Sequence, residues 1–241
     1  MLPPAYPIVL LQGKQNMGTE KVLVAGSDVT ASQLKDLFRQ IEDGSVGRCH
    51  LQAFLDHQNP WRHDWLRVYR ELGMEAEFTA AAASLSCEDK PGFWSVPVLK
   101  GVTPNKVVAI FRRLGVTAYV YIDDLDKAVT TNDRDPGNGS YVIRVASNVE
   151  ADPELADKSA NDLAKQGIKG ATLLERLLLE LAYFLATGDH LDKGSATLCS
   201  GSRGSGGFVP SVGWDADARG LYVYWCSPES RCGDLRARAV S

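Results

Sequence analysis

The sequence predicts an α+β protein, with a small helical N-terminal module and linker over residues 1–90 and a second domain over residues 91–241. Three patterns carry that expectation. In the module, Leu34, Leu37, Phe38 and Ile41 recur at helical spacing, and Trp65, Leu66, Tyr69 and Leu72 do so again. In the domain, the run 171–186 (ATLLERLLLELAYFLA) is apolar around most of its circumference, which marks a long, largely buried helix. Beyond Thr197 the apolar residues Val209, Val212 and Trp214, then Leu221, Val223 and Trp225, are separated by Ser211, Gly213, Tyr222, Tyr224 and Cys226. Such period-two alternation is the signature of terminal β-strands with one buried face.

Residues 1–29 are punctuated by Pro and Gly and give one weak strand signal, at 21–25. Thr30 and Gln33 have capping-box spacing ahead of the first helix, which Gly44 closes. A short helix is expected over 48–57, before Asn59-Pro60, and a third over 62–72 with Gly73 as its C-cap. The Ala/Ser-rich stretch 76–91 reads as a linker or a frayed helix and sets the domain boundary. Residues 93–99 form a strand that Pro97 confines to a sheet edge. Thr103-Pro104 is an N-cap with proline at the first helical position; the helix carries Val107, Val108, Ile110, Phe111 and Leu114 up to Gly115. Residues 116–122 are β-branched and aromatic, hence a strand, while 123–126 and 132–139 are polar turns. Tyr141, Ile143 and Val145 alternate with Val142 and Arg144 in a further strand. A long polar connection, 148–170, leads into the apolar helix that Gly188 caps.

Composition excludes several functions. With 241 residues, 44% hydrophobic and 23% charged, the chain can bury one large core or two small ones. A net charge of −4 gives no general attraction for nucleic acid or an anionic membrane. No segment approaches the roughly 20 apolar residues of a membrane span, and the first residues lack the basic and long apolar regions of a secretory signal. The expected compartment is the cytoplasm, with surface or virion display open. Five cysteines without a CxxC spacing (Cys49, Cys87, Cys199, Cys226, Cys232) argue against a disulfide framework or a zinc site. There is no P-loop, the glycines of GSRGSGG do not fit GxGxxG, and Ser202 and Ser205 do not fit a nucleophile elbow. His57 and His63 lack the spacing of a helical metal pair. Asp215 and Asp217 in WDADARG read as a hairpin turn, with calcium ligation as the alternative. No cofactor, metal or catalytic residue is expected.

The surface beyond Lys193 is unusual. No Lys, Gln, Met, Asn or His follows that residue, and Glu occurs once, at Glu229. Together with LLERLLLELAYFLATG (173–188), TLCSGSRGSGG (197–207), VPSVGW (209–214), LYVYWC (221–226) and LRARAV (235–240), this resembles the variable proteins of diversity-generating retroelements. The resemblance covers about residues 140–241 and implies a C-type-lectin-like fold. It also implies a variable region, about 199–235, whose AAC codons become NNC. NNC encodes neither Lys, Glu, Gln, Met nor Trp. On this resemblance the variable positions are Gly204, Gly206, Phe208, Ser211, Gly213, Asp215, Asp217, Arg219, Tyr222, Tyr224, Cys226, Ser230, Arg231, Cys232 and Gly233, all NNC-encodable. Glu229, Trp214 and Trp225 are then scaffold. Tyr222, Tyr224 and Phe208 would give contact area, Cys226 and Gly213 the floor of the site, and the arginines and aspartates a polar rim.

The function expected is therefore the binding of a protein or other macromolecular ligand through a hypervariable C-terminal surface, without nucleic acid or membrane insertion. Two alternatives come from other classes. One is an enzyme on a formylglycine-generating-type scaffold using Cys226 or Cys232. The other is a phage or cell-structure component assembled through residues 30–73.

Overall fold

The computed structural model describes residues 31–43, 64–85 and 92–241. The expected strand at 21–25, the helix at 48–57, the Thr30 cap, Gly44 and the pair His57 and His63 lie outside them. Two compact units divide between Pro60 and Trp61, not near residue 90. Within the first, α1 (Ala31–Glu42) forms where the apolar spacing places it, with Arg39 paired to Asp36 and Asp43 at 2.7 and 2.9 Å.

The second unit begins with α2 (Trp65–Glu71), capped by the Asp64 carboxylate accepting from Arg67 N, and α3 (Glu75–Ala81). The Ala/Ser-rich stretch is thus partly a regular helix. Tyr69 explains why these helices belong to this unit. It is fully buried, donates to Pro97 O at 2.8 Å, accepts from Leu99 N at 3.0 Å and stacks on Phe78. A boundary downstream of it would sever both bonds. Next come β1 (Phe93–Val98) and α4 (Pro104–Arg113), whose N-cap is Thr103 as the Thr-Pro signal predicts. The chain continues through β2 (Thr117–Val120), α5 (Leu125–Ala128), β3 (Val129–Asn132) and β4 (Tyr141–Ala146). The polar connection that follows holds a helix, α6 (Ala160–Lys165), closed by a capping box between Ser159 and Asp162. The long helix α7 (Leu173–Thr187) has a second capping box, Thr172 with Glu175, and ends at Gly188 in the left-handed region (φ 73°). Five strands complete the unit: β5 (Ala196–Leu198), β6 (Ser202–Gly204), β7 (Val209–Asp215), β8 (Gly220–Cys226) and β9 (Leu235–Arg236).

The architecture is mixed α+β with three sheets. β1 pairs with β4, and β3 with β6, both antiparallel. The five-stranded sheet has the order β2-β8-β7-β5-β9; its outer pairs, β2–β8 and β5–β9, are parallel and the inner ones antiparallel. Among the described residues no helix is long and apolar enough to cross a membrane.

One face of this sheet is covered, and the other is covered in part. Val212, Leu221 and Val223 join the main core with Leu177, Leu178 and Leu181 of α7 and Phe111 of α4. Leu198, Val209 and Leu235 join a second cluster with Ala160 and Leu163 of α6. The expectation that Val209 shares a face with Val212 and Trp214 is therefore corrected. An odd step separates residues 209 and 212, and an extended strand sends them to opposite sides.

Charge is buried as well. Arg176, Glu180, Asp192 and Arg238 are shut off from solvent. Asp192 Oδ2 accepts from Arg176 at 2.9 Å and its Oδ1 from Arg238 at 2.7 Å, while Arg176 also reaches Glu180 at 2.8 Å. His190 Nδ1 lies 2.8 Å from Glu180 Oε1, and its ring is stacked between Phe184 and Trp214. Burial alone would raise the Asp192 carboxyl, but the two guanidiniums outweigh it and hold it below the usual carboxylate range. A carboxyl depressed in the folded state stabilises fully above its unfolded value and loses that contribution as pH falls through the folded one. Asp192→Asn, which leaves the guanidiniums short of a counter-charge, should cost about 3–5 kcal/mol in urea unfolding at neutral pH. The gap from the wild type should begin to narrow below about pH 4, where the unfolded chain binds the proton, and close further only as the depressed native carboxyl protonates at lower pH.

Candidate functional site

The position of β2 creates the candidate surface. It is an outer strand of the large sheet, in parallel register with β8, with Tyr119 opposite Tyr222 and Val120 opposite Val223. Alternation then places Tyr119 and Tyr121 on the same face as Tyr222 and Tyr224. The Tyr121 and Tyr224 rings touch, with centroids 4.2 Å apart, and Tyr119 Oη donates to Ala218 O at 3.3 Å. Glycine makes room at two points. A Cβ on Gly220 would come within 2.4 Å of the Tyr119 ring, and one on Gly213 within 2.5 Å of Tyr222 Oη.

Two open grooves flank the Tyr121–Tyr224 pair. One, of about 820 Å³, runs past Tyr119, Tyr222, Ala218 and Asp215. The other, of about 560 Å³, is bounded by Ile122, Phe208 and Trp225, with Asp124 and Lys127 at its margin. Tyr119, Tyr121, Ile122, Phe208 and Tyr224 are between 44% and 65% exposed. Five large apolar side chains gathered in one place form a patch, unlike the single exposed residues common on any protein surface.

Of the residues expected at the site, Phe208, Asp215, Tyr222 and Tyr224 line these grooves. Gly206 packs beside Phe208, and the exposed Asp217 and Arg219 lie on the β7–β8 hairpin. Asp215 Oδ1 accepts from Asp217 N and Ala218 N at 2.9 and 2.8 Å, so this carboxylate closes a turn. Among the described residues no group of three or more His, Cys, Asp or Glu is placed to hold a metal ion.

Three expected surface positions are corrected. Gly204, Ser211 and Gly213 are buried. β7 is an inner strand covered on both faces, which encloses Ser211 and Gly213. Gly204 is pressed against the Trp225 ring, where a Cβ would approach to 2.4 Å. Cys226 is half-buried, with its thiol 3.5 Å from Ser211 Oγ, and burial pushes that thiol up. Ser230, Arg231, Cys232 and Gly233 follow β8 in a loop that lines neither groove. Arg231 is not an unpaired rim charge: it pairs with Asp162 of α6 at 2.8 Å, and Asn161 bonds Glu229 beside it.

The sequence reading of the site omits Tyr119, Tyr121 and Ile122. The available signal was the spacing Tyr-Val-Tyr at 119–121, which repeats the Tyr-Val-Tyr of 222–224. No protein-family model, curated protein or solved structure matches the chain.

Gly204→Ala, which forces a methyl against an indole and the Ala128 carbonyl, should destabilise by about 1–3 kcal/mol. Phe208→Ala, at the exposed tip of the second groove, should stay within about 0.5 kcal/mol of the wild type. Urea unfolding of both variants measures the contrast.

Proposed function

We propose that the second unit is a C-type-lectin-like domain of the kind carried by retroelement variable proteins, and that its tyrosine face binds a protein or other macromolecule. One observation carries the reading. Val212, Leu221 and Val223 are locked in the main core, while Tyr224, Phe208, Asp217 and Arg219, interleaved with them along the chain, stand in solvent. Side chains at the solvent positions can change without disturbing the core, because successive strand residues serve opposite faces. Every one of these exposed residues also belongs to the set that NNC codons encode. Tyrosine and phenylalanine bring contact area with few rotors to freeze, as in antibody paratopes.

The thiol-enzyme alternative gains no support at Cys226. A nucleophilic cysteine needs a lowered pKa, and burial drives this one the other way.

The test lies first in the DNA. A near-copy of codons 204–233, differing only at template adenines, should lie beside a reverse transcriptase gene, and mismatches at other bases would remove the reading. Among sibling variants, Phe208, Asp217, Arg219 and Tyr224 should vary widely. Positions 204, 211 and 213 should stay confined to small residues, since a large side chain there has no space. Free variation at those three positions would contradict the division between framework and contact surface.

A further inference from the structure

We propose that the tyrosine face selects cationic side chains of a protein partner, arginine foremost, and that Tyr119 and Tyr121 form its constant half. The inference deepens the ligand-surface reading above and rests on it. Tyr119 and Tyr121 lie outside the stretch expected to vary, about 199–235, yet they stand beside Tyr222 and Tyr224, which lie inside it. Whatever is written at positions 222 and 224 meets the same two phenol rings. An aromatic ring presents a negative face, and a guanidinium laid over it gains an attraction that grows as water is excluded. Two rows of rings offer several such seats.

The surrounding charge agrees. Asp123, next to Ile122, and Asp217, on the hairpin, are exposed and make no ion pair among the described residues. Asp215 lines the first groove, and at the second Asp124 is matched by Lys127. Of the nearby cations, Lys127 is held by Asp124 at 2.8 Å, which leaves Arg219 on the hairpin. Acidic groups therefore outnumber free basic ones around the rings, a field that draws basic partners and repels anionic ones. The shape points to a macromolecule. Small-molecule sites bury about 70–90% of their ligand, whereas Tyr119, Tyr121, Phe208 and Tyr224 stand 44–65% exposed on an open face.

The test uses the full-length chain to select from a displayed library of random short peptides. The selected peptides should be enriched in arginine over the input. Replacing those arginines with citrulline, which keeps the shape and removes the charge, should weaken binding at least about tenfold. Tyr119→Ala with Tyr121→Ala should do the same, while Tyr→Phe at both positions stays within about threefold because the ring is kept. Thermal unfolding at the wild-type temperature shows that the alanine variants remain folded. Uncharged or acidic peptides that still lose binding on Tyr224→Ala would overturn the cation preference and leave the ligand surface standing. Binding indifferent to Tyr119→Ala and Tyr121→Ala would overturn the constant half. Indifference to Tyr224→Ala and Phe208→Ala as well would overturn the ligand-surface reading itself, and a library yielding no binder overturns the proposal.

Discussion

A carboxylate with no access to water ties the second unit together. Asp192 faces Arg176 of α7 with one oxygen and Arg238 with the other, and Arg238 also donates to the carbonyls of Asn148 and Val149. Asp192 and Arg238 together thus join the long helix, the approach to β5, the connection after β4 and the segment after β9. Stripping these charges of water is costly, and near-complete hydrogen bonding is what offsets it. The directionality has a further effect. β9 meets β5 over only two residue pairs, too few to specify a register alone, and the neighbouring Arg238 fork supplies the missing constraint.

The second constraint is the burial of the central sheet on one face and on part of the other. Helix α7 and its neighbours cover one side, and α6 with the 153–155 turn covers part of the other. The uncovered part is where β2 and β8 run together, past the reach of α6. A sheet face left open at that point displays whatever side chains alternate there, and here they are tyrosines. The glycines beneath them, Gly213 and Gly220, let the rings lie close to the neighbouring strand, which sets their positions before any partner arrives.

Much of this fold is legible in the sequence because local signals and burial agree. The Thr103-Pro104 start of α4, the apolar circumference of α7, the edge position of Pro97 and the alternation of Leu221 and Val223 each follow from a rule that acts within a few residues. What the sequence conceals depends on distant partners. Gly204 looks like a loop glycine until Trp225 arrives against it, and Ser211 looks outward until α6 and its neighbours close the second face. Tyr69 reads as part of the N-terminal module because its bond partners, Pro97 and Leu99, lie across the Ala/Ser-rich stretch. The tyrosine face was half visible: the 222–224 pair stood out by composition. The 119–121 pair looked like ordinary strand, since only the parallel register of β2 and β8 brings the two together.

The placement of Arg238 downstream of the proposed variable stretch carries a consequence for inheritance. Residues 235–241 pair with β5, with Lys169 and Ala171, and with Arg144, so the core closes only after they have been synthesised. Were that stretch rewritten as proposed, a frameshift or truncation within it would strip Asp192 of one guanidinium and remove the pairing of residues 235–241. NNC codons contain no stop signals, so substitution confined to such codons, as proposed, would spare this closing segment. The same arrangement would act as a proofreading step, in which folding itself certifies that the message was copied in frame.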